Sequence, residues 1–449
     1  MSQGGWPIAI LYGFDYRTCR LPINYVPERL RARMKLYKTG ASGTTIGLVV
    51  VLVVVVVAAG AYIALNPGGG TTTITQTSTA TSTATSVATS VATSTATSTV
   101  TSVSTATSST ATYYPLTLQA GGSTFVNPIM QVWATSFNQY TNSAVQTNYQ
   151  AIGSGAGITG ILKGTFEFAG SDAPVSNSQS ANYTSVKGPL LTIPETLGGV
   201  AIFYNIPGVS VSLNLTGLII AKIYLGQITT WNDPAIQALN PKTTLPGNTI
   251  VPVHRSDGSG TTYALTNYFE KVSKDWNASF TSGCPCYGTS ISWPAFEIGA
   301  KGSGGVAAYV QQNTNTIGYA DSYYAFSNKL TAAAVQNSAG HFLVPTIANI
   351  ASAASDFSAQ IQANPTFAIT NAPGAASYPI ATYTYILVWQ KQTNQQQGYD
   401  TAHFLWWVVN QGQAFGPSLF YPTLPASVVT IDETIIAQMS YNGVPFITV

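Results

Sequence analysis

The sequence predicts an α/β fold, and three observations support that class. The chain has 449 residues, of which 45% are hydrophobic and 11% aromatic, so it contains enough apolar sequence for a sizeable core. Outside a low-complexity N-terminal part, about 340 residues remain, the length of two domains or of one large two-lobed domain. Within them, short strand-like runs alternate with helical runs, as in repeated βαβ units.

The first such units follow directly on the N-terminal part. The pattern predicts a strand at Pro115–Ala120, which ends in glycines, and then an apolar helix at Ile129–Tyr140. A second strand at Val145–Ile152 leads through a glycine-rich turn to a short helix at Ile158–Lys163. A third strand is predicted at Phe166–Ser171, and Asp172 lies just past its end.

A later unit has the same design. A strand at Val251–His254 is followed by a loop at residues 255–261 and by a helix at Thr262–Val272. Ligands of open α/β sheets bind beyond the carboxyl ends of the strands. We therefore expect the glycine-containing loops of all these units to line a ligand site.

The N-terminal part contains one uninterrupted apolar segment, Ile46–Leu65, without a charged residue. Twenty residues of helix span about 30 Å, the thickness of a hydrocarbon core. Seven basic residues precede the segment, so the positive-inside rule predicts a cytoplasmic tail (1–45) and an extracytoplasmic remainder. Met34 is an alternative start of the chain.

We interpret Ile46–Leu65 as a transmembrane signal-anchor. The composition of residues 66–112, which follow it, predicts a disordered stalk. Between Thr71 and Thr112, 29 of 42 residues are Ser or Thr, and large apolar side chains are missing. Such a tract cannot offset its ordering entropy, and similar tracts are often O-glycosylated. We expect a glycoprotein, since three sequons also follow, at Asn182, Asn214 and Asn277.

The composition of the chain argues against a nucleic-acid-binding protein and against a metal-binding protein. Only 7% of residues are charged, and from Tyr113 onward 10 basic residues face 13 acidic ones. This net charge of −3 argues against nucleic-acid binding. Three dispersed cysteines and three dispersed histidines indicate neither a metal site nor a cofactor. For Cys284-Pro285-Cys286 we expect reduced or unusually paired thiols, because a disulfide would close a small, strained ring.

Three loops of the predicted sheet combine glycine with Ser or Thr ahead of a helix: residues 121–124, 153–157 and 258–261. Helix N-termini offer free N–H groups and the positive end of the dipole, which suits anions. Arg255, the only arginine after Leu65, adjoins the third loop. Its fork of donors fits either an ion pair with Asp257 or a tetrahedral anion, and Asp257 could orient it for the second role.

Several motifs carry a resemblance to a known family: AGGSTFVNPIMQVW, YQAIGSGAGITGI, FAGSDAP, PVHRSDGSGTTYALTNYFEKVS and GYADSYYAF, in this order. Together they make residues 113–449 resemble the high-affinity phosphate-binding protein of ABC phosphate importers. The resemblance implies a two-lobed periplasmic-binding-protein fold with a hinge, here as an archaeal, membrane-tethered form. Lobe one would comprise residues 113–200 and 379–449, and lobe two residues 201–378.

By motif position, the resemblance also implies the phosphate ligands. These would be Thr124, Phe125, Ser154, Asp172, Arg255, Ser259, Gly260 and Thr261. Asp172 would accept a proton of phosphate, and the other groups would donate hydrogen bonds. The implied partners are the importer's permease subunits and, through them, a cytoplasmic ATPase; we expect a monomer with its binding domain outside the cell.

Three alternatives remain open at this point. The chain could bind sulfate or another tetrahedral oxyanion, or it could be a structural cell-surface protein, as its stalk and low charge allow. An enzyme is disfavoured, because neither a G-x-S-x-G nor an H-E-x-x-H motif occurs.

Overall fold

The computed structural model describes residues 113–280 and 286–449, and its largest element is a nine-stranded sheet. The strand order is β2-β1-β3-β12-β4-β8-β6-β7, and β9 pairs with β4. The strands of this sheet are β1 (Leu116–Gly122), β2 (Val145–Ala151), β3 (Phe168–Ser171), β4 (Leu190–Asn205), β6 (Val251–Arg255), β7 (Ile298–Ala300), β8 (Thr316–Asp321), β9 (Thr331–Ala332) and β12 (Ala381–Trp389). Smaller sheets contain β5 (Asn214–Leu215), β10 (Ala334–Gln336), β11 (Phe342–Leu343), β13 (Ser440–Tyr441) and β14 (Val444–Pro445).

Helices connect these strands. They are α1 (Asn127–Tyr140), α2 (Ser154–Lys163), α3 (Asn177–Ser180), α4 (Thr184–Lys187), α5 (Gly217–Tyr224), α6 (Pro234–Leu239), α7 (Gly260–Val272), α8 (Lys274–Ala278), α9 (Gly302–Gln312), α10 (Ser322–Ser327), α11 (Ile347–Asp356), α12 (Ser358–Ala363), α13 (Gln395–Val409) and α14 (Ala426–Ile436), with a 3₁₀ helix at Gln411–Leu419.

The large sheet has two halves that share the long strand β4. In the first half-sheet, β1 pairs in parallel with β2 and β3, and β12 runs antiparallel to β3 and to residues 190–199 of β4. In the second half-sheet, β8 runs antiparallel to residues 200–205 of β4, and β6 runs parallel to β8 and β7. The pairing partner of β4 therefore changes between Gly199 and Val200, where the chain passes from one half-sheet to the other.

Burial of the central strands explains their composition. Every residue of β12 is buried, and so is nearly all of β4, because helices cover both faces of the sheet. Trp133 and Phe137 of α1 pack on the first half-sheet, and Leu265 and Phe269 of α7 are equally buried. The parallel strands end where the two half-sheets meet, and this arrangement places their C-terminal loops together.

Several predicted boundaries need correction. Strand β1 spans Leu116–Gly122 rather than Pro115–Ala120, β2 ends at Ala151 rather than Ile152, β3 begins at Phe168 rather than Phe166, and α1 begins at Asn127 rather than Ile129. Helix α2 begins at Ser154 rather than Ile158, α7 begins at Gly260 rather than Thr262, and β6 extends to Arg255 rather than His254. The first turns of both helices consist of Gly, Ser, Thr and Ala, which carry no apolar periodicity. Two of the three predicted glycine loops, residues 153–157 and 258–261, therefore run into the first turns of helices, whereas residues 121–124 are the end of β1 and the two residues after it.

Some of the sequence-based expectations concern residues that the structure describes, and others lie outside them. Among residues 113–280 and 286–449, no helix has the length and hydropathy needed to cross a bilayer. The expected tail, anchor and stalk (1–45, 46–65 and 66–112) lie outside the described residues, as does Cys284, whereas Cys286 is a free thiol. Asn182 and Asn277 are exposed, but Asn214 is half-buried and its amide donates to the Leu239 carbonyl.

Candidate oxyanion-binding site

The residues that the sequence singled out converge where the two half-sheets meet. Thr124 follows β1, Asp172 follows β3, and Arg255 is the last residue of β6. All eight expected ligand residues are buried: Thr124, Phe125, Ser154, Asp172, Arg255, Ser259, Gly260 and Thr261. A connected network of hydrogen bonds links those from the first half-sheet to those from the second.

Asp172 lies at the centre of this network. Its carboxylate accepts hydrogen bonds from the hydroxyls of Ser123 and Thr261, the latter over 3.3 Å to Oδ2. Burial raises its pKa to about 6, although hydrogen bonds from Ser123, Thr384 and Thr261 and the charge of Arg255 lower it. At neutral pH the carboxylate is therefore ionised, desolvated and surrounded by donors.

Ser154 bridges the two half-sheets at the start of α2. Its Oγ accepts the backbone N–H of Asp172 over 3.3 Å and that of Gly260 over 3.0 Å. The hydroxyl proton of Ser154 is directed elsewhere, because both of these bonds use its lone pairs. Ser154 is therefore a donor held between the N-terminus of α7 and the end of β3.

Arg255 is held in one orientation by Asp257. Nε donates to Oδ1 over 2.8 Å, and Nη2 donates to Oδ2 over 2.5 Å. Burial raises the pKa of Asp257, but the hydrogen bonds and charge of Arg255 and the N–H of Gly302 outweigh it, so the net pKa lies below its ordinary value. This bidentate pair leaves Nη1 for another partner.

That partner is Ser303, which sequence reasoning did not select. Arg255 Nη1 donates to Ser303 Oγ over 3.4 Å, and the Ser303 and Thr124 hydroxyls lie 3.0 Å apart. The Ser303 N–H also donates to Thr124 Oγ1 over 3.0 Å. Ser303, in the first turn of α9, thus connects a hydroxyl of the first half-sheet to the arginine of the second.

Several of the expected donors have partners within the protein, among them the Gly260 N–H and the Thr261 hydroxyl described above. The Phe125 N–H donates to Ser123 Oγ over 3.0 Å, and the Ser259 hydroxyl accepts the Thr262 N–H over 3.2 Å as the N-cap of α7. A hydroxyl that accepts a hydrogen bond still has its proton to donate. Ser259 can therefore cap α7 and donate at once, whereas the Phe125 amide would have to exchange Ser123 for a ligand.

Glycines allow the two half-sheets to come this close. A Cβ on Gly260 would lie 2.5 Å from Cβ of Asp172 and 2.7 Å from its backbone N. A Cβ on Gly153, which has φ +93°, would lie 2.3 Å from Oδ2 of Asp257. Between them, the Gly155 N–H donates to the Gly258 carbonyl over 2.9 Å. Any larger residue at Gly260 or Gly153 would separate the two sets of donors.

Two more buried carboxyls lie around Asp172. Burial, the hydrogen bond from Thr384 and the charge of Asp172 set the pKa of Glu195 at about 8. Asp321, at the end of β8, also has a pKa well above its ordinary value, chiefly because of burial. Sequence analysis missed both residues, although a lone acidic residue within the apolar run LLTIPETLGGVAIFY was a visible signal for Glu195.

The α/β fold, with its buried cluster of donors at helix N-termini between two half-sheets, is that of a class of two-lobed binding proteins. A family model described as the PBP superfamily domain matches residues 64–411. Within that superfamily, the chain belongs to the phosphate-binding protein PstS family, a family of binding proteins and not of enzymes.

Two relatives show the extent of this match. A Xylella fastidiosa protein named phosphate-binding protein PstS is 37% identical over 313 residues, which cover 70% of this chain and 82% of that protein. A protein of the same name from the archaeon Methanocaldococcus jannaschii is 34% identical over 316 residues, covering 66% of this chain and 79% of that protein. Both matches span most of the relative's length.

A solved structure supports the fold. The structure of a human phosphate binding apolipoprotein is similar with a TM-score of 0.56 at 20% identity, covering 71% of this chain and 93% of that chain. The α/β two-lobed periplasmic-binding-protein fold expected from the sequence is confirmed.

The buried carboxyls predict how stability depends on pH. Glu195, Asp321, Glu297 and Asp432 all have raised pKa values, mainly through burial. Each holds its proton to a higher pH in the folded protein than in the unfolded chain, so stability falls as pH rises towards the folded pKa. From pH 7 to 8, the window set by the Glu195 pKa of about 8, we expect the free energy of unfolding to fall by up to about 1.4 kcal/mol per pH unit for Glu195, and the other three carboxyls act in the same direction.

Urea unfolding at both ends of this window measures the effect. In this window His254 and His403, whose pKa values burial lowers, are mostly neutral in the folded and unfolded states and contribute little. Glu297→Gln removes one titrating carboxyl and should reduce the slope. A stability that rises with pH across this window would contradict the assignment of neutral buried carboxyls.

Proposed function

We propose that the protein is an extracytoplasmic substrate-binding protein that captures inorganic phosphate and delivers it to an ABC importer. One observation carries the proposal. Asp172, a buried acceptor, lies in the same cluster of donors as the guanidinium of Arg255, which Asp257 holds in one orientation. The names of the relatives, phosphate-binding protein, support the same ligand.

Phosphate would lie between the N-termini of α1, α2 and α7. The hydroxyls of Thr124, Ser154 and Ser259, the backbone N–H groups of Phe125, Gly260 and Thr261, and Arg255 would donate to its oxygens, and Asp172 would accept its proton. The N–H groups of Phe125 and Gly260 would exchange their present partners, Ser123 and Ser154, for phosphate. Helix N-termini supply partial positive charge without mobile side chains. A site of this kind needs few formal charges, in agreement with a body of only 10 basic residues.

Asp172 is the group that distinguishes phosphate from sulfate. An ionised carboxylate only accepts hydrogen bonds, so it pairs with a P–OH but repels a sulfate oxygen, which carries no proton at neutral pH. An unpaired buried acceptor costs about 1–3 kcal/mol. The geometry therefore favours phosphate over the sulfate alternative.

Transport would require the cleft to open and close. We assign residues 113–200 and 379–449 to lobe one and residues 201–378 to lobe two. The change of β4 pairing at Gly199/Val200 supports this boundary, as does the bond from Val200 N–H to the Ile380 carbonyl, 2.8 Å long. The two crossing segments would form the hinge, and the closed form would dock on the permease.

The N-terminal part gives the proposal its cellular setting. We infer that Ile46–Leu65 anchors a single-pass membrane protein of the archaeal tethered kind, with a glycosylated stalk at 66–112 that holds a monomeric binding domain outside the cell. The apolar length of the segment, the basic residues before it and the hydroxyl-rich tract after it support this inference.

Calorimetric titration of the full-length chain with phosphate, arsenate and sulfate tests the ligand. We expect phosphate and arsenate to bind and sulfate to bind far more weakly. Absence of binding to all three anions would instead favour a structural cell-surface protein.

Arg255 should contribute strongly to affinity. Charge-assisted hydrogen bonds contribute about 1.5–3 kcal/mol, so Arg255→Ala should weaken phosphate binding at least about tenfold. Arg255→Lys should recover only part of the loss, because an ammonium group cannot reproduce the fork. Lys222→Ala, which removes a surface ion pair with Asp275, is the matched control and should bind as the wild type does. Unchanged affinity in a normally folded Arg255→Ala protein would remove Arg255 from the site.

Asp172→Asn tests selectivity. The amide keeps the shape of the side chain and adds a donor, so sulfate should gain affinity while phosphate loses some. We expect the phosphate-to-sulfate affinity ratio to fall about tenfold, equivalent to ~1.4 kcal/mol. The exposed Asp275→Asn variant serves as the control. If the ratio stays at its wild-type value, Asp172 does not select the ligand.

Protease treatment of intact cells tests the topology. Because the basic residues precede Ile46–Leu65, residues 113–449 should face outward and be degraded by added protease. Lysed cells provide the control for intrinsic protease sensitivity. Protection of the domain in intact cells together with digestion after lysis would contradict the proposed orientation.

A further inference from the structure

Glu195 occupies an irregular position in the centre of the sheet, next to Asp172. The register between β12 and β4 pairs Thr384 with Thr196 but Tyr385 with Pro194, so Glu195 is the extra residue of a β-bulge. Bulges redirect side chains and are frequent beside functional sites. Here the bulge places a fully buried carboxyl beside Thr384 of the neighbouring strand.

One hydroxyl serves two carboxyls at this point. Thr384 Oγ1 donates to Glu195 Oε1 over 3.0 Å, and the same hydroxyl lies close enough to Asp172 to lower the pKa of that carboxyl. A threonine hydroxyl has a single proton and two lone pairs, so it donates to one carboxyl at a time. Glu195 Oε2 has no partner among the described residues, although it is buried. The protonation state of Glu195 therefore decides which carboxyl receives the Thr384 proton.

It matters which carboxyl receives the Thr384 proton, because Asp172 can accept only a limited number of hydrogen bonds. A carboxylate offers about four lone-pair positions. Ser123 and Thr261 occupy two of them, and Thr384 would occupy a third. One position then remains for the proton of a bound phosphate, and the three protein donors hold it in a fixed direction.

We propose that protonated Glu195 is a positioning residue for phosphate: it donates to Thr384, whose hydroxyl then donates to Asp172 and orients it towards the ligand. This inference rests on the proposed function, since it assigns a role around the same carboxylate. When Glu195 ionises, Thr384 turns to Glu195, and Asp172 loses a donor and gains a negative neighbour. Asp172 then becomes more basic, and an anionic ligand meets an additional charge.

The groups facing this pair are compatible with such a titration. Asp172 and Tyr149 interact with Glu195, whereas Asp321, Tyr421 and Arg255 interact with Asp172. Tyr149 donates to the Ser123 carbonyl over 2.9 Å and, being buried, has a pKa well above 10, so it stays neutral. The environments of the two carboxyls push their pKa values apart, to about 6 for Asp172 and about 8 for Glu195.

The test compares phosphate dissociation constants of wild type and Glu195→Gln in the full-length protein across the pH range around 8. Glutamine is neutral at every pH, and its amide can donate to Thr384 as the protonated acid does. Below pH 7 the two proteins should bind phosphate equally. Towards pH 9 the wild type should become about tenfold weaker than the variant, because ionised Glu195 repels the anion and withdraws the Thr384 proton from Asp172. Taking the ratio of the two proteins cancels the titration of phosphate itself.

Matched variants keep the test decisive. Asp432→Asn also removes a buried carboxyl but should reproduce the wild-type pH profile. Should Glu195→Gln not fold, Thr384→Val provides a second test: it should weaken phosphate binding several-fold at pH 6.5, whereas Thr382→Val on the same strand should not. Within residues 113–280 and 286–449, the Thr382 hydroxyl donates to the Tyr383 carbonyl and to no other group.

The outcomes separate this inference from the function on which it rests. A wild-type to Glu195→Gln ratio that stays constant with pH, while both proteins bind phosphate, would overturn the role of Glu195 and leave the proposed function intact. Equal binding by Thr384→Val and Thr382→Val would do the same. Absence of phosphate binding by the wild type at every pH would overturn both.

Discussion

The desolvated carboxylate of Asp172 is the constraint on which the rest of the site depends. An ionised group without water must find its stabilisation in the protein. Here Ser123 follows β1 of the first half-sheet and Thr261 lies in α7, which follows β6 of the second, so both half-sheets must be in place at once. The position of one charge thus requires the two-lobed arrangement, and the lobes in turn exclude water from it.

Close backbone approach makes that arrangement possible. Gly260 and Gly153 bring the N-termini of α7 and α2 against the opposite half-sheet at distances that no Cβ would permit. Arg255 does not neutralise Asp172 directly, because Asp257 holds it in a bidentate pair. The site therefore contains many hydrogen-bond donors and one carboxylate, Asp172, that can still accept a proton from a ligand. A protonated tetrahedral anion requires this combination.

Sequence patterns predicted the alternating strands and helices and the convergence of their loops, because strand–glycine–helix units have one handedness and place their loops at one edge. They placed the starts of α2 and α7 too late, since Ser154 and Gly260 carry no apolar periodicity. Glu195 and Ser303 could not be predicted in their roles. The apolar run around Glu195 indicates that this carboxyl is buried, but its place beside Thr384 depends on a bulge, and the role of Ser303 depends on a contact between the half-sheets.

A crystal structure of the phosphate complex would test the central claim most directly. The account predicts a phosphate oxygen at about 2.5–2.7 Å from an Asp172 oxygen, the distance of an O–H···O⁻ hydrogen bond. Arg255, Ser154 and Thr261 should contact the remaining oxygens. A phosphate bound without contact to Asp172, or bound outside the junction of the two half-sheets, would contradict it.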